Sequence, residues 1–117
     1  MDKRVLEEMK CFLMLLLRAP VPEEERQFGD PLRYLADQFV HNNWTFSEFI
    51  EHIDGGEFPL NGAGLKMYVD SKGLEGTPFI TIAGDQARYF PIFLDTIQKR
   101  CANFKHIKII VPKILKK

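Results

Sequence analysis

The chain of 117 residues has the length of one domain of roughly 100–150 residues, which excludes a multidomain enzyme. It is 45% hydrophobic and 12% aromatic, with ten Phe, enough to build a core and too much for a disordered segment. Sixteen Lys and Arg balance sixteen Asp and Glu, so no overall field drives nonspecific binding to nucleic acid or anionic lipid.

The first predicted element is a helix. Val5, Leu6, Met9, Phe12, Leu13, Leu16 and Leu17 recur on one helical face, Asp2 is placed as N-cap, and Pro20 closes the far end. Cys11, Met14 and Leu15 widen that stripe, which predicts contact on two sides and a central position, in a monomeric core or a homodimer. The longest apolar run, Cys11 to Leu17, is far short of the roughly 20 residues that span a bilayer, so no transmembrane helix is expected. Glu7, Glu8 and Lys10 break up the only stretch that resembles a signal peptide, so a cytoplasmic protein is expected. Cys11 and Cys101 then read as two buried thiols rather than a disulfide. The segment from Ala19 to Glu25, with Pro20, Pro22 and three consecutive Glu, reads as a stiff, acidic, solvated connection.

Asp30-Pro31 is an N-cap followed by proline at the first helical position, and Leu32, Leu35, Ala36, Phe39 and Val40 predict a second helix over about 31–41. Thr45-Phe46-Ser47-Glu48 is a capping box. Trp44 just before the cap and Phe49 at the fourth helical position have the spacing of a hydrophobic staple. Phe46, Phe49, Ile50 and Ile53 form the buried stripe of this third helix, and Gly55-Gly56 ends it.

From Glu57 onward Gly, Pro and Asn-Gly punctuation leaves room only for short extended segments. Asn61-Gly62-Ala63-Gly64 reads as a hairpin turn. Leu65 to Val69 and Phe79 to Ala83 are the predicted strands, joined antiparallel by a nine-residue loop from Asp70 to Pro78. Phe90, Phe93, Leu94, Ile97, Cys101 and Phe104 mark a further helical face, with Pro91 either at its start or after a separate turn over Asp85 to Tyr89. Ile107, Ile109 and Val111 alternate with Lys108 and Ile110 as a last strand, stopped by Pro112. The whole predicts a single α+β domain over 1–117, a helical N-terminal half packed on a small sheet with a C-terminal strand-helix-strand unit.

Charge is uneven along this neutral chain. Residues 1–95 hold nine basic against sixteen acidic side chains, a balance of −7, whereas residues 96–117 hold seven basic and no acidic ones, +7. The basic part is Lys99, Arg100, Lys105, Lys108, Lys113, Lys116 and Lys117. Its plain role is a cation-rich helix end and a solubilising tail, and its functional alternative is a nucleic-acid or nucleotide site on Lys99, Arg100, Lys105 and Lys108. The densest acidic part is Glu48, Glu51, Asp54 and Glu57, with no basic residue among them. Glu48 belongs to the capping box. Asp54 and Glu57, near a negative helix end, are expected either free in water or against a cation.

No sequence pattern predicts an enzyme, a metal centre or a cofactor. His41, His52 and His106 have no zinc spacing with each other or with cysteine. Cys101 with His106 could meet across a short loop as nucleophile and base, Glu48 and Glu51 share part of a helix surface with His52, and Asp85 stands where a strand ends, a common ligand position, but Cys101 reads more readily as core and Gly84-Asp85 as a cap.

The run Trp44-Thr45-Phe46-Ser47-Glu48-Phe49-Ile50, with Gly56-Glu57-Phe58-Pro59-Leu60 and Gly76-Thr77-Pro78-Phe79-Ile80, resembles small bacterial domains of the kind that serve as immunity partners encoded beside a secreted toxin. The resemblance implies a protein that binds and blocks another protein. The acidic residues of the third helix, with any exposed edge of Trp44, are then the expected contact with a basic toxin domain, because complementary charge speeds encounter and an aromatic supplies the anchor.

Overall fold

A computed structural model describes residues 1–112; Lys113, Lys116 and Lys117 of the basic segment lie outside the described residues. The elements are α1 (Lys3–Arg18), α2 (Glu23–Arg26), α3 (Arg33–Asn42), α4 (Phe46–Ile53), β1 (Glu57–Pro59), β2 (Lys66–Leu74), β3 (Thr77–Ala83), a 3-10 turn (Asp85–Tyr89), α5 (Pro91–Arg100) and β4 (Lys108–Ile110). This is an α+β fold. Among the described residues no helix is long and apolar enough to cross a membrane.

The helices start where local chemistry starts them. The Asp2 side chain accepts from the Arg4 N–H at 2.7 Å, and Thr45 and Glu48 close both halves of the capping box. Asp30 accepts from the Leu32 N–H at 2.9 Å, so the regular helix begins at Arg33, within a turn of the expected start. Pro91 opens α5 after the 3-10 turn, where its missing N–H costs nothing. That helix ends at Arg100, leaving Phe104 in the loop beyond it.

One mixed sheet runs in the order β1-β2-β3-β4, with β1, β2 and β3 antiparallel in turn and β4 parallel to β3. A parallel neighbour needs a crossover, and α5 supplies it. The expected strand-helix-strand unit is therefore present. Phe58, Met67, Val69, Ile80 and Ile82 face the helices and are buried, together with Phe12, Leu13, Leu16, Phe49, Phe93 and Ile97. α1 packs against both α4 and α5, and α4 also meets β2. The opposite face of the sheet is open and carries a stacked Tyr68–Phe79 pair, ring centroids 6.1 Å apart.

Three expectations are corrected. The segment before the second helix is not a solvated connection: it forms α2, and Glu25 is only 3% exposed. Its carboxylate accepts from the backbone N–H groups of Ile92 at 2.7 Å and Phe93 at 2.9 Å. These are first-turn amides of α5, which has no cap from its own neighbourhood, so a distant glutamate serves as its N-cap. Cys11 is not buried but exposed, and Met14 is 40% exposed; the wide apolar stripe of α1 is buried only along its Val5-Met9-Phe12-Leu13-Leu16 side.

The nine-residue loop is the third. Asp70 to Pro78 is a β-hairpin: β2 continues to Leu74, Leu74 pairs with Thr77, and Glu75-Gly76 turn with φ of 56° and 82°, the positive pair that a two-residue hairpin turn requires. Between the Asp70–Phe79 and Leu74–Thr77 pairs the ladder is irregular, and Ser71, Lys72 and Gly73 stand opposite Pro78. Proline has no N–H to give a ladder, so a bulge forms here. Gly73 takes φ of 68°, and a Cβ on it would lie 1.8 Å from the Thr77 carbonyl oxygen. The amides freed by the bulge are taken by carboxylates. Asp70 accepts from Lys72 and Gly73, each at 2.9 Å, and Asp54 accepts from Ser71 at 2.9 Å.

Candidate functional site

The face of α4 turned away from the core is the candidate site, and its rigidity starts with the cap. The Thr45 hydroxyl accepts from the Glu48 N–H at 3.1 Å and a Glu48 carboxylate oxygen accepts from the Thr45 N–H at 3.2 Å. α3 ends on Asn43 in the left-handed region, φ 53°, a conformation asparagine tolerates, and this reverses the chain into Trp44. The indole lies half-buried, its ring 5.5 Å from Phe49 and 6.1 Å from Phe39, which is the predicted staple. Phe39 also meets Phe46 at 5.6 Å and Phe49 at 4.7 Å, and Phe49 meets Phe58 of β1 at 5.0 Å. Trp44 is thus fixed by an aromatic cluster rooted in the core.

What remains in solvent is the outer edge of that cluster. His52 lies 5.2 Å from the indole and is exposed, as are Glu48 and Glu51. On the last turn of α3, Val40 is 84% exposed, an aliphatic side chain that contributes almost nothing to this fold.

The structure divides the four predicted acidic residues. Glu48 and Glu51 share the outer face of α4. Asp54 is engaged within the fold and faces no cation among the described residues: it accepts from both the Ser71 N–H and the Ser71 hydroxyl, and it bridges to Val69 of β2. Its carboxylate holds the hairpin bulge. Glu57 stands on β1 and pairs with Lys66 at 3.5 Å, toward the open face of the sheet. Among the described residues neither Glu48 nor Glu51 forms an ion pair.

The basic set lies elsewhere. Lys99 and Arg100 are in the last turn of α5, Lys105 is in the following loop and Lys108 is on β4. Lys99 pairs with Asp95 at 2.9 Å. The chain entering β4 is held by Glu8 of α1, whose carboxylate accepts from the N–H groups of Lys105, His106 and Ile107 at 2.8, 2.6 and 3.0 Å. Burial by itself would push the Glu8 carboxyl up, but these three amides outweigh it and hold the group below the usual carboxylate range.

The catalytic pairings within local reach are weak. Burial pushes the Cys101 thiol up to about 11, the opposite of an activated nucleophile. Asp85 lies exposed at the end of β3, lining with Glu57, Lys66, Tyr68 and Thr81 a depression of about 380 Å³ on the open sheet face. A second cavity of about 510 Å³ opens between the end of α1 and α3, lined by Leu17, Val21, Leu32 and Ala36 with Arg26 and Asp30 at its polar side. Arg26 is engaged there, its Nε donating to the Val21 carbonyl at 3.0 Å. Among the described residues no group of three or more His, Cys, Asp and Glu side chains is placed to hold a metal ion.

The roles of Glu25 and Glu8 escaped the sequence reading. Glu25 stands in an acid run and Glu8 among the charges Glu7 and Lys10, both of which read locally as solvated surface. Comparison of the chain with protein-family models, with curated proteins and with solved structures found no match.

Proposed function

We propose that this chain is a protein-binding module that acts by docking rather than by chemistry, and that it is an inhibitor of the immunity type, blocking a basic toxin domain in the bacterial cytoplasm. The observation that carries the reading is the α4 face: a half-buried Trp44, rigidly seated, beside Glu48 and Glu51, which form no ion pair among the described residues. An aromatic that is fixed before binding loses little entropy when its remaining edge is covered, and carboxylates around it attract a cationic partner. His52, with its ring 5.2 Å from the indole, extends the contact. Asp54 belongs to the fold instead, and Glu57 with its Lys66 partner is at most a rim contact.

The test is affinity capture from the source cell at low and moderate salt, with nuclease treatment in parallel, comparing the natural chain with Glu51→Lys. The proposal expects a stoichiometric, nuclease-resistant protein partner rich in Lys and Arg, retained by the natural chain and released by the variant. Loss of all bound material after nuclease treatment refutes it and transfers function to the basic segment.

A further inference from the structure

The edge of the sheet farthest from α4 is β4, and its outer side is unpaired among the described residues. Such an edge presents N–H and C=O groups ready to accept another strand. Two independent features say what kind of strand. The first is charge: residues 96–112 contain Lys99, Arg100, Lys105 and Lys108 and no acidic side chain, and among the described residues Arg100, Lys105 and Lys108 form no ion pair. Glu8, the carboxylate bonded to this segment, is engaged by backbone amides rather than by these cations.

The second is shape. Between the end of α5 and β4 lies a cavity of about 400 Å³ lined by Cys101, Ala102, Phe104, Ile107 and Ile109, with Gln98 and Lys108 at its border. Ile109 packs toward the core and Lys108 is exposed, as the alternation of a strand demands. A strand laid beside β4 would send alternate side chains the same two ways. Those on the helix side would meet the cavity and its apolar side chains, and those on the open side would meet Lys108 and the exposed Ile110.

We propose that the free edge of β4 takes up an extended segment of a partner protein in which acidic residues alternate with apolar ones. Main-chain bonds to β4 supply affinity, the cavity selects the apolar side chain, and the cations select the acidic ones. A peptide fits these observations better than a nucleic acid, because an unpaired strand edge offers main-chain hydrogen bonds that only another polypeptide strand matches, and Phe104 is the one aromatic lining the cavity, too few to stack successive bases. The site is separate from the α4 face and of opposite charge, so it stands or falls on its own.

The experiment titrates the isotope-labelled full chain with a synthetic peptide of alternating Glu and Val, with the same peptide carrying Lys for Glu, and with a single-stranded oligonucleotide. The expected result is binding of the Glu peptide alone, with resonance shifts centred on the amides of Lys108, Ile109 and Ile110 and on Phe104, and an affinity that falls with salt. Lys108→Glu, at an exposed site, should weaken binding about tenfold, and Ala102→Trp should block it by filling the cavity mouth, both with unchanged melting temperature. Equal or absent binding of the two peptides overturns the proposal. Shifts of the same amides by the oligonucleotide but not by the peptide overturn it in favour of nucleic acid.

Discussion

Two sets of glutamates in this chain have the same chemistry and opposite roles. Glu25 and Glu8 reach across the molecule to backbone amides of the C-terminal unit, 67 and 97 residues away in sequence at the nearest, and each carboxylate is engaged by more than one N–H. Glu51 and the outer side of Glu48, on α4, have no cation and no distant amide among the described residues. The difference teaches how to read an acidic surface. A carboxylate facing unpaired amides completes the fold, whereas one left to water beside a seated aromatic is available to another molecule.

Removing a member of the first set should break the fold's long-range ties. Glu25→Ala leaves two first-turn amides of α5 without a partner in a buried place, and should cost about 3 kcal/mol or more, read as a fall in the denaturation midpoint. Binding by the folded fraction should be unchanged. Trp44→Ala removes the staple and one wall of the aromatic cluster. A loss of about 2 kcal/mol in the free protein is expected, and weaker partner binding besides, whereas a purely functional residue would show only the second.

Glu8 sharpens the same contrast through pH. Its carboxyl is held below the usual range in the folded chain, so it contributes stability that is present above the unfolded value near 4.5 and is lost as the pH falls through the lower folded value. Glu8→Gln should therefore be less stable than the natural chain by about 1–2 kcal/mol at neutral pH, with the difference shrinking in acid. A gap that stays constant down to pH 2 would contradict the role given to Glu8. The two thiols offer a smaller check. Exposed Cys11 should alkylate promptly at pH 8, while buried Cys101, its thiol raised to about 11, should wait for unfolding.

Much of the fold was legible because its signals are local. The capping box, the Trp44–Phe49 staple, the turn at Asn61, whose side chain accepts from Ala63 and Leu65 at 3.0 and 3.1 Å, and Pro91 at the head of α5 all lie within a few residues of what they organise. The hairpin was misread for the same reason. Gly73, Gly76 and Pro78 are loop punctuation in a linear scan, and only strand pairing shows that one glycine makes a bulge, one makes a turn, and the proline sits where no donor is needed. Periodicity also does not say which flank of the wide α1 stripe meets the core, and Cys11 lies on the flank that does not. Of the candidate residues, Trp44 and Glu48 stand at the head of α4 and Glu51 one turn on, a placement that follows from the capping box. The role of Asp54 does not follow from it, because its partner Ser71 is brought to it by the hairpin that the sequence had hidden.

The central claim is that the α4 carboxylates serve a partner rather than the fold, and Glu51→Lys measures it most directly. Denaturation of the variant should fall within about 0.5 kcal/mol of the natural chain, as for an exposed surface change, while affinity for the captured partner drops about tenfold and loses much of its salt dependence. Equal affinity in the two chains, with stability also unchanged, would contradict the account and leave the α4 face as ordinary solvated surface.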